Sequence, residues 1–262
     1  METLNISIIQ LLIGLLLILI PGYILYYYQT GIVKDMFVSV ARMVIQLFLV
    51  GFYLNYLFAW NNIFVNVGWL MLMTGVCAVN MINRIHLSKR KMFVPIYFAV
   101  FISLSFIASY FLKLVIGMEN LFDSRYFIPI CGILLGNILS SSVIGINSFY
   151  SSIVREQQMY NYLLGNGATT EEAQRPFIRQ ALIKAFNPAI ASMAVMGLIA
   201  LPGTMIGQIL GGSSPNLSIR YQIMIMVINF SASMLSVLIS LHLSVKYTFD
   251  KYGGIKDGVI LD

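Results

Sequence analysis

Charge is what this sequence lacks. Lysine, arginine, aspartate and glutamate make up 10% of its 262 residues, against roughly 25% in a water-soluble domain. With 59% of residues hydrophobic, a soluble fold of this length has too few charges to cover its surface, which excludes an ordinary soluble enzyme. Histidine and cysteine are scarcer still: His86 and His242, Cys77 and Cys131. Neither pair has a metal-ligand spacing. The cysteines read as small buried apolar residues. His86 reads as interfacial beside the basic run Ser88–Lys91, and His242 lies near the inner end of the last apolar stretch. No GxxxxGK[ST] phosphate loop is present, so no ATP cradle of that kind exists in this chain. HExxH and GxSxG are missing too.

The charges that exist are spaced by long gaps. No Lys, Arg, Asp or Glu lies between Glu2 and Lys34, or between Arg42 and Arg84. Further uncharged stretches run Met92–Leu112, Tyr126–Val154, Ala185–Ile219 and Tyr221–Val245. A helix needs about 20 residues to cross the hydrocarbon, so the second gap holds two spans, divided by a polar turn at Trp60, Asn61 and Asn62. The reading is all-α: a bundle of seven transmembrane helices at Ile6–Tyr28, Met36–Ala59, Phe64–Asn83, Phe93–Gly117, Tyr126–Phe149, Lys184–Leu210 and Ile219–Lys246. The runs are continuous rather than alternating, which excludes a β-barrel. The first span lacks a basic flank and a small-residue cleavage site, so it reads as a retained helix. No aspartate or glutamate sits within a span, against a proton relay built on carboxylates.

Basic residues gather on the cytoplasmic side of membrane proteins. Placing the N-terminus outside and the C-terminus in the cytoplasm puts all 16 lysines and arginines inside except Lys113, Arg125 and Arg220. The net charge of +6 then faces the cytoplasm. Anionic lipid headgroups account for the basic character without nucleic acid.

The longest connection, Ser148–Lys184, is inner. Arg155–Leu164 reads as a helix, Gly165-Asn166-Gly167 as a turn, and Thr169 with Glu172 as a capping box opening a second helix through Ala173, Phe177 and Ala181. This helix–turn–helix knob, residues 148–184 of a single-domain chain, invites a partner protein; an amphipathic connector lying on the membrane surface is the plainer alternative. Within the spans, Gly132, Gly136 and Ser140 form a small-residue ridge, with Asn137, Ser141 and Gly145 beside it. Such ridges pack helices, and a polar strip can also line a path. Span six carries Pro188, Leu201-Pro202-Gly203, Gly207 and Gly211, so a break at Pro202 is expected. Arg42 opens span two with Gln46 one turn on, where Arg42 can snorkel to the interface. The fifteen methionines are scattered and read as core packing rather than soft-metal ligands.

Several of these stretches together resemble the FetB-type (UPF0014) ABC transporter permeases. They are Arg42-Met43-Val44-Ile45-Gln46-Leu47 with Val50-Gly51, Pro129-Ile130-Cys131-Gly132 with Gly136-Asn137, Glu156-Gln157-Gln158, Gly167-Ala168-Thr169, Leu201-Pro202-Gly203 with Met205 and Gly207, and Tyr221-Gln222-Ile223-Met224. They run in family order over roughly residues 36–245. The resemblance implies a multi-pass inner-membrane permease, paired with a second copy and with FetA-like ABC ATPase subunits that bind ATP and Mg²⁺. This chain would need no cofactor of its own and would not itself be an enzyme. Glu156, Gly167, Ala168, Thr169 and Glu172 would couple to the ATPase. Gly167-Ala168-Thr169 looks like the glycine-centred coupling loop of importer permeases, but Tyr160-Asn161-Tyr162 replaces the Glu-Ala-Ala form before it. The path candidates are Arg42, Gln46, Gly132, Gly136, Asn137, Ser141, Pro202, Gly203, Gly207 and Gln222, with no metal-site residue assigned. The implied activity is metal (iron) export. A nucleotide sugar or other small solute, an ATP-independent secondary carrier, and a membrane scaffold are the competing classes.

Overall fold

The computed structural model describes residues 7–85, 87–250, 253, 254 and 256. The expected span start at Ile6, the interfacial His86, and the flanking charges Glu2, Lys251, Asp257 and Asp262 lie outside them. All regular structure among the described residues is helical. Helix α1 (Ile8–Leu15) starts on a Ser7/Gln10 capping box, tightens through a 3₁₀ turn at Leu16–Ile18, and continues as α2 (Leu19–Tyr27). The tightening falls just before Pro21, which has no N–H to give back to the preceding turn. Next come α3 (Val33–Trp60), α4 (Ile63–Ile85) and α5 (Lys89–Tyr110), the last relaxing into a π-helical turn over Phe111–Val115. The chain then forms α6 (Ser124–Arg155), α7 (Gln157–Gly165), α8 (Thr170–Val195), α9 (Gly203–Leu210) and α10 (Pro215–Thr248).

Six of these elements are long and apolar enough to cross a membrane: α1 with α2, α3, α4, α5 with its π-turn, α6 and α10. The expected sixth span, Lys184–Leu210, takes another form. No helix boundary falls at Lys184; the second helix of the inner loop and the first part of that span are one helix, α8. Nothing between Phe177 and Val195 stops it, because Pro188 sits in a helix whose neighbours hold its path. Glu171, Glu172, Arg175 and Arg179 make its first turns too polar for the hydrocarbon. The chain breaks from Met196 to Pro202, with Gly197 at φ +86°, and resumes as the two-turn α9. Pro202 caps that restart rather than interrupting a helix.

Helices α4, α5, α6, α8 and α10 form the packed body, with α10 lying along α5 and α6, and α6 also meeting α4 and α8. Close approach comes from small residues. Gly145 of α6 faces Val237 of α10 and Ala185 of α8; a Cβ there would lie 3.0 Å from Val237 Cγ1 and 3.4 Å from Ala185 Cβ. Along α10 the buried face reads Asn229, Ser233, Ser236, Ser240, Ser244 and Thr248, a ladder of small polar residues at helical spacing. Helix α3 stands apart. Its most apolar 18-residue window contains no buried residue. It meets the body at its C-terminal end, where the Tyr53 and Trp69 rings lie 4.5 Å apart, Leu57 is buried, and Asn61 Oδ1 accepts the Ser124 N–H at 2.9 Å.

Candidate functional site

Three helices converge on a cavity of about 40 Å³ inside the bundle, room for a few waters. Asn137 and Ser141 come from α6, Met193 from α8, and Met226, Asn229 and Ser233 from α10. Asn137 returns its amide N–H to Ile133 O at 3.0 Å, which leaves its carbonyl oxygen as an acceptor. Asn229 is 8% exposed and its Oδ1 has no hydrogen-bond partner. A buried amide oxygen left unpaired costs about 1–3 kcal/mol, so the cavity holds an unfilled acceptor. The lining is wholly neutral: amides, hydroxyls and thioethers beside Phe186, Ala189 and Phe230. Among the described residues no group of three His, Cys, Asp or Glu is close enough to hold a metal ion.

The break between α8 and α9 is tied to the same rod. The Thr204 hydroxyl, one residue into α9, donates to Gln222 Oε1 of α10. So one hydrogen bond, from Thr204, ties the segment that holds Pro202, Gly203 and Gly207 to Gln222, two turns before Asn229 on α10. Other path candidates point elsewhere. Gly132 faces Met73 of α4, and Gly136 opens on a separate apolar groove between α4 and α6. Arg42 and Gln46 sit on α3, exposed, away from the cavity. Sequence reading missed Asn229, Ser233, Met193 and Met226. The polar i, i+4, i+7, i+11 ladder on α10 was the available signal, hidden in a helix whose remaining residues are equally apolar.

At its C-terminal end α6 bends at Glu156 into α7, and the chain turns through Asn166, Gly167 and Ala168. Gly167 adopts φ +88°, which a side chain would strain. The Thr169 hydroxyl accepts the Glu172 N–H at 3.3 Å, and Glu172 Oε2 accepts both the Thr169 N–H and hydroxyl at 2.8 Å. The backbone N–H first and the hydroxyl second hold the Glu172 carboxyl below its usual range. The box is therefore complete at neutral pH and is lost only as pH falls through that depressed value. Thr169→Ala is expected to cost about 1 kcal/mol of helix-start stability, read as faster hydrogen exchange over residues 170–173 with the global melting point unchanged. Glu156 pairs with its neighbour Arg155 at 2.8 Å, an exposed pair of small worth.

The knob is not a free appendage. Tyr160 of α7 donates to Gly253 O at 2.9 Å, and its ring lies 6.0 Å from both Phe177 of α8 and Phe249 at the end of α10. Phe249 reaches Phe149 of α6, and Tyr150 shares a 2.8 Å hydrogen bond with Thr248. An open groove of about 830 Å³ runs beside it, lined by Glu171, His242, Lys246 and Lys256 among others.

The model of the uncharacterised protein family UPF0014 matches residues 8–249. The chain is 28% identical to the probable iron export permease protein FetB of Escherichia coli, covering 94% of this chain and 93% of that one. It is 25% identical to the UPF0014 membrane protein YjkA of Bacillus subtilis, over 88% and 91% of the two chains. The Arabidopsis thaliana protein ALUMINUM SENSITIVE 3 is 28% identical, over 91% and 86%. No solved structure matches. A helical membrane protein matched to that family model over nearly its whole length, this chain is a member of UPF0014.

Proposed function

We propose that this chain is the permease subunit of an ABC transporter in the cytoplasmic membrane, working as a pair and driven by separate ATPase chains. The observation that carries this reading is the knob. A tight exposed turn at Gly167–Thr169 joins α8 to α7, whose Tyr160 packs on Phe249 just past α10 and donates to Gly253 O, and α10 also lines the internal cavity. A push on the turn would be passed into the helix that holds Asn229. The chain carries no phosphate loop to generate that push, so ATP and Mg²⁺ belong to the partner. In this reading the C-terminal half of α8 and α9 together make a seventh crossing. The N-terminus then lies outside, the C-terminus in the cytoplasm, and the knob on the ATPase side. Metal export is the direction and cargo suggested by the name of the E. coli relative.

A second substrate class has its own support. The cavity offers no carboxylate, and neutral donors compensate a bare hard cation poorly. A chelated metal or a neutral polar solute such as a sugar conjugate suits that lining better. Reconstitution with an ABC ATPase in proteoliposomes tests both. ATP hydrolysis should rise several-fold with the true cargo, and Asn229→Leu should remove the rise while leaving basal hydrolysis intact. Stimulation by ferrous iron alone favours the metal, and stimulation only by a complex or a sugar conjugate favours the second class. A permease that never associates with an ATPase refutes the whole reading.

A further inference from the structure

The least-covered part of the molecule carries polar groups where lipid would surround them. Helix α3 is 28 residues long, about 42 Å against a hydrocarbon thickness of about 30 Å. Gln46 stands at its midpoint and Arg42 one turn toward the inner end, both exposed. Neither has a hydrogen bond or ion pair within the described residues. At 3.6 residues per turn, Ser39, Arg42, Gln46, Tyr53 and Leu57 fall within about 60° on the helix. This is the face that packs on the body at Tyr53 and Leu57 and is bare further in. Arg42 can snorkel to the interface; a glutamine at mid-bilayer cannot.

A matching bare surface exists on α6. Asn137, Ser140, Asn147 and Ser151 share one exposed face. Asn137 and Ser140 each return one donor to their own helix, at 3.0 and 3.1 Å, so they present acceptor oxygens outward together with the second amide N–H of Asn137. Arg42 is a donor and Gln46 offers its amide N–H. The depths agree as well. Measured along each helix from the Asn61–Ser124 bond, Gln46 lies about 22 Å inward, level with Asn137 and Ser140. Arg42 lies about 28 Å inward, approaching Asn147. Two copies inserted with the same topology can be related by a two-fold axis along the membrane normal, which preserves depth and duplicates each contact.

We propose that α3 is an arm that packs on a second copy of this chain, its Arg42–Gln46 face against the Asn137–Asn147 face of the partner's α6. This deepens the pairing suggested above by naming its surface, and it needs only that α3 crosses a membrane, with no ATPase required. The seam would run past the mouth of the Asn137 cavity, so each copy would close the polar wall of the other.

Disulfide trapping in native membranes tests it on the full chain, with Cys77 and Cys131, both buried, replaced by alanine. Gln46→Cys with Asn137→Cys, and separately Gln46→Cys with Ser140→Cys, should give on oxidation at least five-fold more covalent dimer than Phe48→Cys with Asn137→Cys. Phe48 lies on the far side of α3, and Gln46, Phe48, Asn137 and Ser140 are all exposed, so the introduced cysteines add nothing to the packed body beyond the shared cysteine-free background. An intrachain disulfide without dimer would show that α3 folds onto its own α6, and would overturn the proposal. So would equal dimer from the Phe48→Cys control, or labelling of Gln46→Cys by a water-soluble maleimide with no dimer. Light scattering of the unmodified protein in detergent separates the two levels: a dimeric mass without these disulfides rejects this surface and leaves pairing standing, and a monomeric mass rejects both.

Discussion

Gly145→Leu is expected to destabilise the helix bundle severely. The site is the crossing of α6, α8 and α10, and even a bare Cβ there would stand 3.0 Å from Val237 and 3.4 Å from Ala185. Overpacking a tight core by a methylene or two costs about 1–3 kcal/mol. A whole leucine side chain at a three-helix junction exceeds that, because neither α8 nor α10 can retreat without opening its other contacts. The expected loss is above about 4 kcal/mol, which for a chain of this size lowers the melting temperature by about 10 °C or more. Gly145→Ala should lower it by a few degrees. Combined with Val237→Ala, the loss should be smaller than the sum of the two single losses, since the shortened valine makes room for the new methyl. Thermal unfolding of the purified protein in detergent, followed by intrinsic fluorescence, reads all four variants. Full additivity would show that Gly145 and Val237 do not press on one another.

In the proposed transporter, replacing Gly167 and Ala168 together by glutamate should uncouple this chain from the ATPase without unfolding it. The turn is surface-exposed at Gly167, with nothing within 4 Å of the position a Cβ would take. The folding penalty is therefore confined to the left-handed backbone at Gly167, on the order of 1 kcal/mol. The docking penalty is much larger, because two carboxylates would be carried into an interface shaped for a glycine turn. Recovery of ATPase with the tagged permease should fall at least ten-fold, and cargo-stimulated hydrolysis should vanish. The melting temperature of the permease alone should move by only a few degrees. Intact association with a normal hydrolysis rate would place the docking surface elsewhere, the groove beside Lys246 and Lys256 being the next choice.

How much of this was legible in the sequence depended on which force sets each feature. Exclusion of charge from hydrocarbon is strong and local, so the gaps between basic residues located the six long apolar helices. The Asn61-Asn62 turn was visible for the same reason. The capping box at Thr169 and Glu172 is set by neighbours three residues apart and could be read directly. Lys184 misled, because a charge was taken as a helix boundary where the backbone simply continues; only tertiary packing decides that α8 runs unbroken to Val195. The cavity was half legible. Asn137 and Ser141 stood out on a helix with a clear small-residue ridge. Asn229 did not, since its neighbours on α10 are apolar on every side and its meaning depends on which helix crosses it. The exposure of Gln46 could not be read at all, because whether a polar residue is covered is a fact about the other helices.

Helix α10 is continuous over 34 residues, and its attachments are arranged as on a lever. The C-terminal end is clamped to the knob through Thr248 and Phe249, the fulcrum is the crossing of Val237 over Gly145, and the N-terminal arm carries Asn229 and then Gln222. From Val237 to Gln222 is about 22 Å along the axis. A rocking of about 5° at the fulcrum would sweep Gln222, and α9 with it through Thr204, by about 2 Å. Asn229, about half as far from the fulcrum, would move by about 1 Å. The mechanical advantage thus favours displacement at the α9 end and leverage at the cavity, so the same small stroke would shift the outer segment while only loosening the grip on whatever Asn229 holds.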